Sequence, residues 1–279
     1  MLPNQPVGVF DSGLGGLSVL REIWQQLPDE STIYLADQAN FPYGNRPADE
    51  VRAFSSAHAR FLRAQGCKAI VVACNTASAA ALDHLRAEIT DVPIVGMEPA
   101  LKPAAHGTHS GVVGVLATGA TLGAARFEHL LERFAASVQV ISIECPELVV
   151  LVETGQADSA PAVETLRAAL DGPLARGMDT LVLGCTHFPW LVPAIRTVAG
   201  PDLTIIDPAP AVARQVRKVL AEKELLAGPA ASPVGERAIF YTTDDAATMQ
   251  NRLAQMLAGD YRVGATPQKT GAPTRPGRS

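Results

Sequence analysis

Stretches of this chain repeat one another in order at a spacing of about 110 residues, far too long for a solenoid repeat and close to the size of a small domain. Val71-Val72-Ala73-Cys74-Asn75-Thr76 returns as Val182-Leu183-Gly184-Cys185-Thr186-His187. Val7-Gly8-Val9-Phe10-Asp11-Ser12-Gly13 returns as Val113-Gly114-Val115-Leu116-Ala117-Thr118-Gly119, and Glu98-Pro99-Ala100 as Asp207-Pro208-Ala209. A duplication on this scale constrains the fold more than any local propensity does. It calls for two like domains about a pseudo-twofold axis, each delivering a cysteine where an apolar strand gives way to a helix. Facing one another, such domains would set the cysteines across a cleft, which suits chemistry needing a base on each side of one atom.

Strand and helix patterns alternate. Apolar runs at Val7–Phe10, Thr32–Ala36, Ala69–Ala73, Gly111–Leu116, Val138–Ile143, Thr180–Leu183 and Leu203–Ile206 are separated by helical spacing at Leu17–Leu27, Arg52–Gln65, Ala77–Ile89, Ala124–Phe134, Ala160–Leu170 and Val212–Ala221. This order predicts an α/β fold of two pseudo-symmetric three-layer domains with mainly parallel sheets and the active site in the cleft between them. A strand at Ala238–Thr242 and a helix at Ala246–Leu257 could complete the first sheet. A disordered tail is expected over 264–279, where Thr, Pro, Gly and Arg dominate.

With 23 basic against 28 acidic side chains, the chain lacks the electrostatic footprint of a nucleic-acid binder. No apolar run approaches the ~20 residues of a membrane helix, and the start lacks the pattern of a signal peptide. A cytoplasmic enzyme with reduced thiols is therefore expected. A Schiff-base cofactor needs a positioned lysine, and none of Lys68, Lys102, Lys218, Lys223 or Lys269 sits in a glycine-rich setting, so cofactor-free chemistry is favoured.

A lone cysteine is most simply a small buried hydrophobe, and Cys67 and Cys145 are read that way. Cys74 and Cys185 differ because both stand at the C-terminal end of a parallel strand, where open α/β sheets bind ligands. Both also precede a helix, whose free N–H groups lower a thiol pKa. An ordinary thiol, with a pKa of about 8.5, is only a few per cent thiolate at neutral pH, so a helix start is one way to reach the charged and neutral pair that base and acid roles require. Thr76, Ser78 and Thr186 are natural helix caps. Asn75 and the threonines could also read a substrate whose carboxylate rests on backbone N–H groups.

The loop Asp11-Ser12-Gly13-Leu14-Gly15-Gly16, with Asp37 ending the next strand, imitates a dinucleotide fingerprint. Ser18 at the third glycine position and an acid at Asp11 weigh against it. His187 is either a hydrogen-bonded histidine or a proton carrier, and a metal would need more ligands than the spacing supplies. Glu153, after the apolar run Leu148–Val152, is most simply a solvated strand end.

Four segments in order, Phe10-Asp11-Ser12-Gly13-Leu14-Gly15-Gly16, Asn40-Phe41-Pro42-Tyr43-Gly44, Ala73-Cys74-Asn75-Thr76-Ala77 and Gly184-Cys185-Thr186-His187-Phe188-Pro189, give the region from Val7 to Arg262 its resemblance to the aspartate/glutamate racemase superfamily, in its glutamate branch. The resemblance implies cofactor-independent racemisation of L-glutamate to D-glutamate for peptidoglycan. It implies Cys74 acting on the D-enantiomer with Asp11, and Cys185 on the L-enantiomer with His187 and Glu153. Asp11, Ser12, Tyr43, Gly44, Asn75, Thr76, Thr118, Thr186 and His187 would contact substrate. It also implies that the second copy is inserted in the first domain, giving residues 1–97 with 208–263 in one domain and 98–207 in the other. No metal, nucleic acid or membrane is implied, and a homodimer is compatible with it. One departure is Ala120, where relatives usually carry glycine.

Overall fold

The computed structural model describes residues 1–259 and 261–266. The strands are β1 (Val7–Asp11), β2 (Thr32–Ala36), β3 (Ala69–Val72), β4 (Ile94–Val95), β5 (Val112–Ala117), β6 (Gln139–Glu144), β7 (Thr180–Gly184), β8 (Thr204–Ile206), β9 (Ala238–Thr242) and β10 (Val263–Ala265). The helices are α1 (Leu17–Gln26), α2 (Ala48–Ala64), α3 (Asn75–Glu88), α4 (Leu101–Gly107), α5 (Gly119–Leu122), α6 (Ala125–Phe134), α7 (Pro146–Glu153), α8 (Ala160–Ala175), α9 (Val192–Ala199), α10 (Ala209–Glu222) and α11 (Ala246–Leu257).

The duplication is visible in the strand order. One sheet runs β10-β9-β2-β1-β3-β4 and the other β6-β5-β7-β8, so the second copy repeats the core order of the first. All the described pairings are parallel. In each copy the opening strand lies between its second and third strands, and the crevice at their carboxyl ends is a topological switch point. Cys74 follows β3 at one crevice and Cys185 follows β7 at the other.

Both sheets are covered on both faces, which is why β1, β3 and β7 read as continuous apolar runs. Alternate residues part to opposite sides: Val7 and Val9 with Ala69 and Val71 meet α1, α10 and α11, while Phe10, Ile70 and Val72 meet α2 and α3. In the second sheet Leu116, Ile143, Leu181 and Leu183 face α7, α8 and α9, and Val113, Val115 and Val182 face α4 and α6. Helix α8 is capped by Ser159, whose Oγ accepts the Ala162 N–H at 3.3 Å. Ser159→Ala is expected to lower stability by about 1 kcal/mol, read as a shifted urea midpoint with an unchanged m-value.

Two expectations need correction. The tail does not begin at residue 264, because Gly264 and Ala265 pair with Tyr241 and Thr242 in β10. The Tyr261 ring, 5.0 Å from Phe240, carries the chain onto the core just before its composition turns polar; residues 267–279 lie outside the described residues. The second concerns Leu148–Val152, which is helical. Pro146 opens α7, and Leu148, Val149 and Val152 form its buried stripe while Val150 is exposed.

Candidate active site

Both thiols line one cleft. Cys74 is the N-cap of α3, its Sγ accepting the Ala77 N–H at 3.5 Å and lying 3.9 Å from Ser12 Oγ. The helix begins two residues earlier than its alanine-rich run predicts, so Asn75 and Thr76 occupy its first turn, and neither Thr76 nor Ser78 is the cap. Burial pushes the Cys74 thiol well above its ordinary range and the nearby Asp11 charge pushes it further, outweighing the Ala77 N–H. The expectation of a thiol acidified by its helix is therefore reversed on this side. Cys74 is held neutral.

Cys185 is set differently. A short 3-10 turn, Phe188–Leu191, intervenes before α9, so no α-helix starts at this thiol. Its partner is His187, whose Nδ1 lies 3.8 Å from Sγ and whose Nε2 lies 2.8 Å from Glu153 Oε2. Glu153 is no solvated strand end. It closes α7, and its carboxylate accepts the Leu14 N–H at 3.0 and 3.2 Å and Gln38 Nε2 at 3.1 Å. Burial disfavours the imidazolium, but contacts with Cys185 and Glu153 prevail and raise His187 well above its ordinary pKa. Burial likewise opposes the Glu153 carboxylate, yet hydrogen bonds from His187, Leu14 and Gln38 hold it below the usual range. The result is an imidazolium–carboxylate pair against a thiol.

Raising His187 from its unfolded value of 6.5 has a sign for stability. Its contribution is complete below pH 6.5 and is lost as pH climbs through the raised folded value. Thermal melts of the wild type and His187→Gln across that interval should therefore converge as pH rises.

The glycine loop between β1 and α1 serves this pair rather than a phosphate. Asp11 Oδ2 accepts the Gly13 and Gly16 N–H groups at 3.2 and 3.0 Å, and Glu153 takes that of Leu14, so carboxylates occupy the donors a pyrophosphate would use. A side chain at Gly15 would collide with the His187 ring, which explains a glycine at this close approach. Ser18 Oγ donates to Thr186 O at 3.1 Å and Trp190 Nε1 to Gly15 O at 3.2 Å, stitching the loop to the second copy. Asp37 is equally engaged. It accepts the Tyr43 hydroxyl at 2.5 Å and Thr243 Oγ1 at 2.7 Å and lies 2.9 Å from His58 Nε2. No dinucleotide reading survives these partners.

Asp11 is fully buried behind the cleft, within reach of the Thr186 hydroxyl at 3.4 Å. Burial lifts its carboxyl above the ordinary range and the Glu153 charge adds to this, against His187 and the loop N–H groups. Ser12, Tyr43, Gly44 and Asn75 line the cleft, as do Thr76, Thr118, Thr186 and His187. Thr118 caps α5, and its Oγ1 lies 3.0 Å from both Thr76 Oγ1 and Thr121 Oγ1. Ala120 falls within α5, a helical conformation that alanine adopts freely, and the threonine contacts form around it. Asn75 stands out: only 3% exposed, its amide nitrogen and oxygen find no protein partner. Among the described residues no lysine or arginine lines the cleft, so the first turn of α3 and the His187 imidazolium supply its positive field.

Sequence reasoning missed Pro146 and Val149 as an apolar wall, and Gln38 as a holder of Glu153. No spacing signal marks them. They are brought in by α7 crossing to the other copy's loop. Cys67 and Cys145 are buried packing residues as expected, with burial pushing their thiols up to about 12 and about 11.

The profile of the family described as Asp/Glu/hydantoin racemase matches residues 7–216. A glutamate racemase of Pseudomonas putida (strain W619) is 50% identical over 251 residues, covering 90% of this chain and 93% of its own. Among solved structures, a glutamate racemase isoform from Bacillus anthracis superposes with a TM-score of 0.84 at 34% identity, covering 95% of this chain and 98% of that one. The Escherichia coli glutamate racemase, solved with L-glutamate and the activator UDP-MurNAc-Ala, does so with a TM-score of 0.81 at 33% identity, covering 94% and 97%. With the sheet order, the paired thiols and these likenesses in agreement, the chain belongs to the Asp/Glu/hydantoin racemase family, in its glutamate racemase branch.

Proposed function

We propose that the chain interconverts L- and D-glutamate by a cofactor-independent two-base mechanism, Cys185 serving the L face and Cys74 the D face of the α-carbon. The observation that carries this reading is one cleft lined by two thiols from equivalent positions of a duplicated fold. Their surroundings divide the work. His187, held as imidazolium by Glu153, lies 3.8 Å from the Cys185 sulfur, while burial keeps Cys74 protonated. In the L-to-D direction the Cys185 thiolate takes the α-proton, forming its S–H bond as the Cα–H bond breaks. The carbanion then takes a proton from Cys74 on the opposite face, leaving a Cys74 thiolate. Asp11 takes part in the reverse direction, its raised pKa suiting it to share the proton that Cys74 must release.

Carbanion formation dominates the barrier, each pKa unit of mismatch being about 1.36 kcal/mol. The α-carboxylate is assigned to the first turn of α3 and the Asn75 amide, where fixed donors in a water-poor cleft are worth most. Closure of the two copies on the substrate is a means of excluding water. The E. coli relative's complex with L-glutamate supports the choice of substrate. A cytoplasmic location and supply of D-glutamate to peptidoglycan complete the proposal; among the described residues no helix is long and apolar enough to cross a membrane.

Incubating pure protein with L-glutamate, without added cofactor, should give D-glutamate until the enantiomers are equal, followed by chiral chromatography. Absence of D-glutamate, or equal turnover of L-aspartate, overturns the assignment.

A further inference from the structure

Helix α11, the last among the described residues, packs on the first sheet through Met249 and Leu253, yet one of its side chains reaches the second copy. Arg252 Nε donates to Glu153 O at 3.1 Å and Nη2 to Val152 O at 3.0 Å. These are terminal carbonyls of α7, where the helix dipole favours a cation, and Val152 O also accepts the Gly155 N–H at 3.0 Å. The guanidinium is further held by Gln255 through Nη1. Gly155, two residues beyond α7, has φ +81, and a side chain there would collide with the Arg252 guanidinium. The backbone after the helix is thus shaped around this contact.

We propose that Arg252 is a positioning residue for the L-side proton transfer: by clamping the end of α7 it fixes the Glu153 carboxylate, which orients His187 against Cys185. This rests on the two-base reading above. Arg252 touches neither the cleft nor either thiol, so its influence passes through Glu153. It joins Gln38, itself bonded to Thr242 at 3.0 Å, in tying the relay of the second copy to the return segment of the first.

The test is Arg252→Ala with Arg252→Lys and Gly155→Ala beside it, each checked for folding by circular dichroism. Because the enantiomers have equal free energy, kcat/KM must fall alike in both directions, and direction alone is silent about which side is affected. Isotope effects are not. α-Deuterated L-glutamate breaks its C–D bond at Cys185, and α-deuterated D-glutamate breaks its bond at Cys74. Arg252→Ala should lower kcat/KM on the order of 10-fold. The isotope effect on kcat/KM should rise with L-glutamate and fall with D-glutamate, as the Cys185 transfer becomes limiting. Arg252→Lys should restore part of both, and Gly155→Ala, which displaces the guanidinium, should reproduce the split. An unchanged kcat/KM, or two isotope effects that move together, overturns the proposal. Wild-type protein that fails to racemise glutamate at all would instead overturn the two-base reading beneath it.

Discussion

Cys74→Ser and Cys185→Ser are each expected to lower racemisation by roughly 10²–10⁴-fold, the usual contribution of a positioned acid or base. A hydroxyl fills the space of the thiol but is far too weak an acid to exchange protons at a carbon centre near neutral pH. The more telling result is which face stays alive. With Cys185 intact, Cys74→Ser should still exchange the α-proton of L-glutamate with deuterated solvent while leaving D-glutamate untouched, and Cys185→Ser should do the reverse, both read by proton NMR. The asymmetry of the surroundings predicts a difference in vigour too. Cys185 keeps its His187–Glu153 pair in the first variant, whereas Cys74 in the second must be deprotonated from a raised pKa beside the Asp11 carboxyl, with no imidazolium against it. L-side exchange should therefore be the faster of the two residual activities at neutral pH. If either variant retains wild-type turnover, or if one variant exchanges both enantiomers, the two-base assignment is wrong.

The pair of cysteines was legible because duplication leaves a mark in one dimension: matching strand ends at equivalent places of the two sheets put their cysteines in equivalent positions in space. The buried strands were legible for a related reason, since sheets covered on both faces leave uninterrupted apolar runs. What stayed hidden was whatever breaks the symmetry. Leu148–Val152 is apolar enough for a strand, and only its packing into α7 makes Glu153 a buried partner of His187. The glycine loop resembled a phosphate cradle because glycines mark close approach without naming what approaches. Here it is a histidine ring brought from the other copy. The helix-start argument for acid thiols failed at Cys74 because burial and a neighbouring carboxylate outweigh one N–H group. At Cys185 the proline-containing 3-10 turn removed the premise. Gln38 and Arg252 illustrate the general limit. Each acts on Glu153 over more than 90 residues of sequence separation, and neither carries a local pattern.

The Asn75 amide offers a second large effect, because function and stability should move in opposite directions. An amide this deeply buried without protein partners costs about 1–3 kcal/mol for each unsatisfied group, a burden a fold keeps only where it has another use. Its place on the first turn of α3, next to Cys74 and on the wall of the cleft, fits the proposed use of holding a charged group of the substrate. Asn75→Leu, which keeps the branched heavy-atom skeleton and carries no unpaired polar atoms, should therefore raise the urea midpoint. It should also lower kcat/KM for glutamate by about 10²-fold, mostly through KM, since a hydrogen bond to a charged group is worth about 1.5–3 kcal/mol. Asn75→Asp sharpens the point by placing a negative charge where a carboxylate is meant to dock, and it should weaken binding further. A variant that becomes less stable while binding glutamate as before would mean that the amide is satisfied within the fold and that the substrate carboxylate is held elsewhere. The expected combination, a firmer fold with an emptied binding function, is the trade that active sites make when polar groups are preorganised for a ligand and left waiting for it.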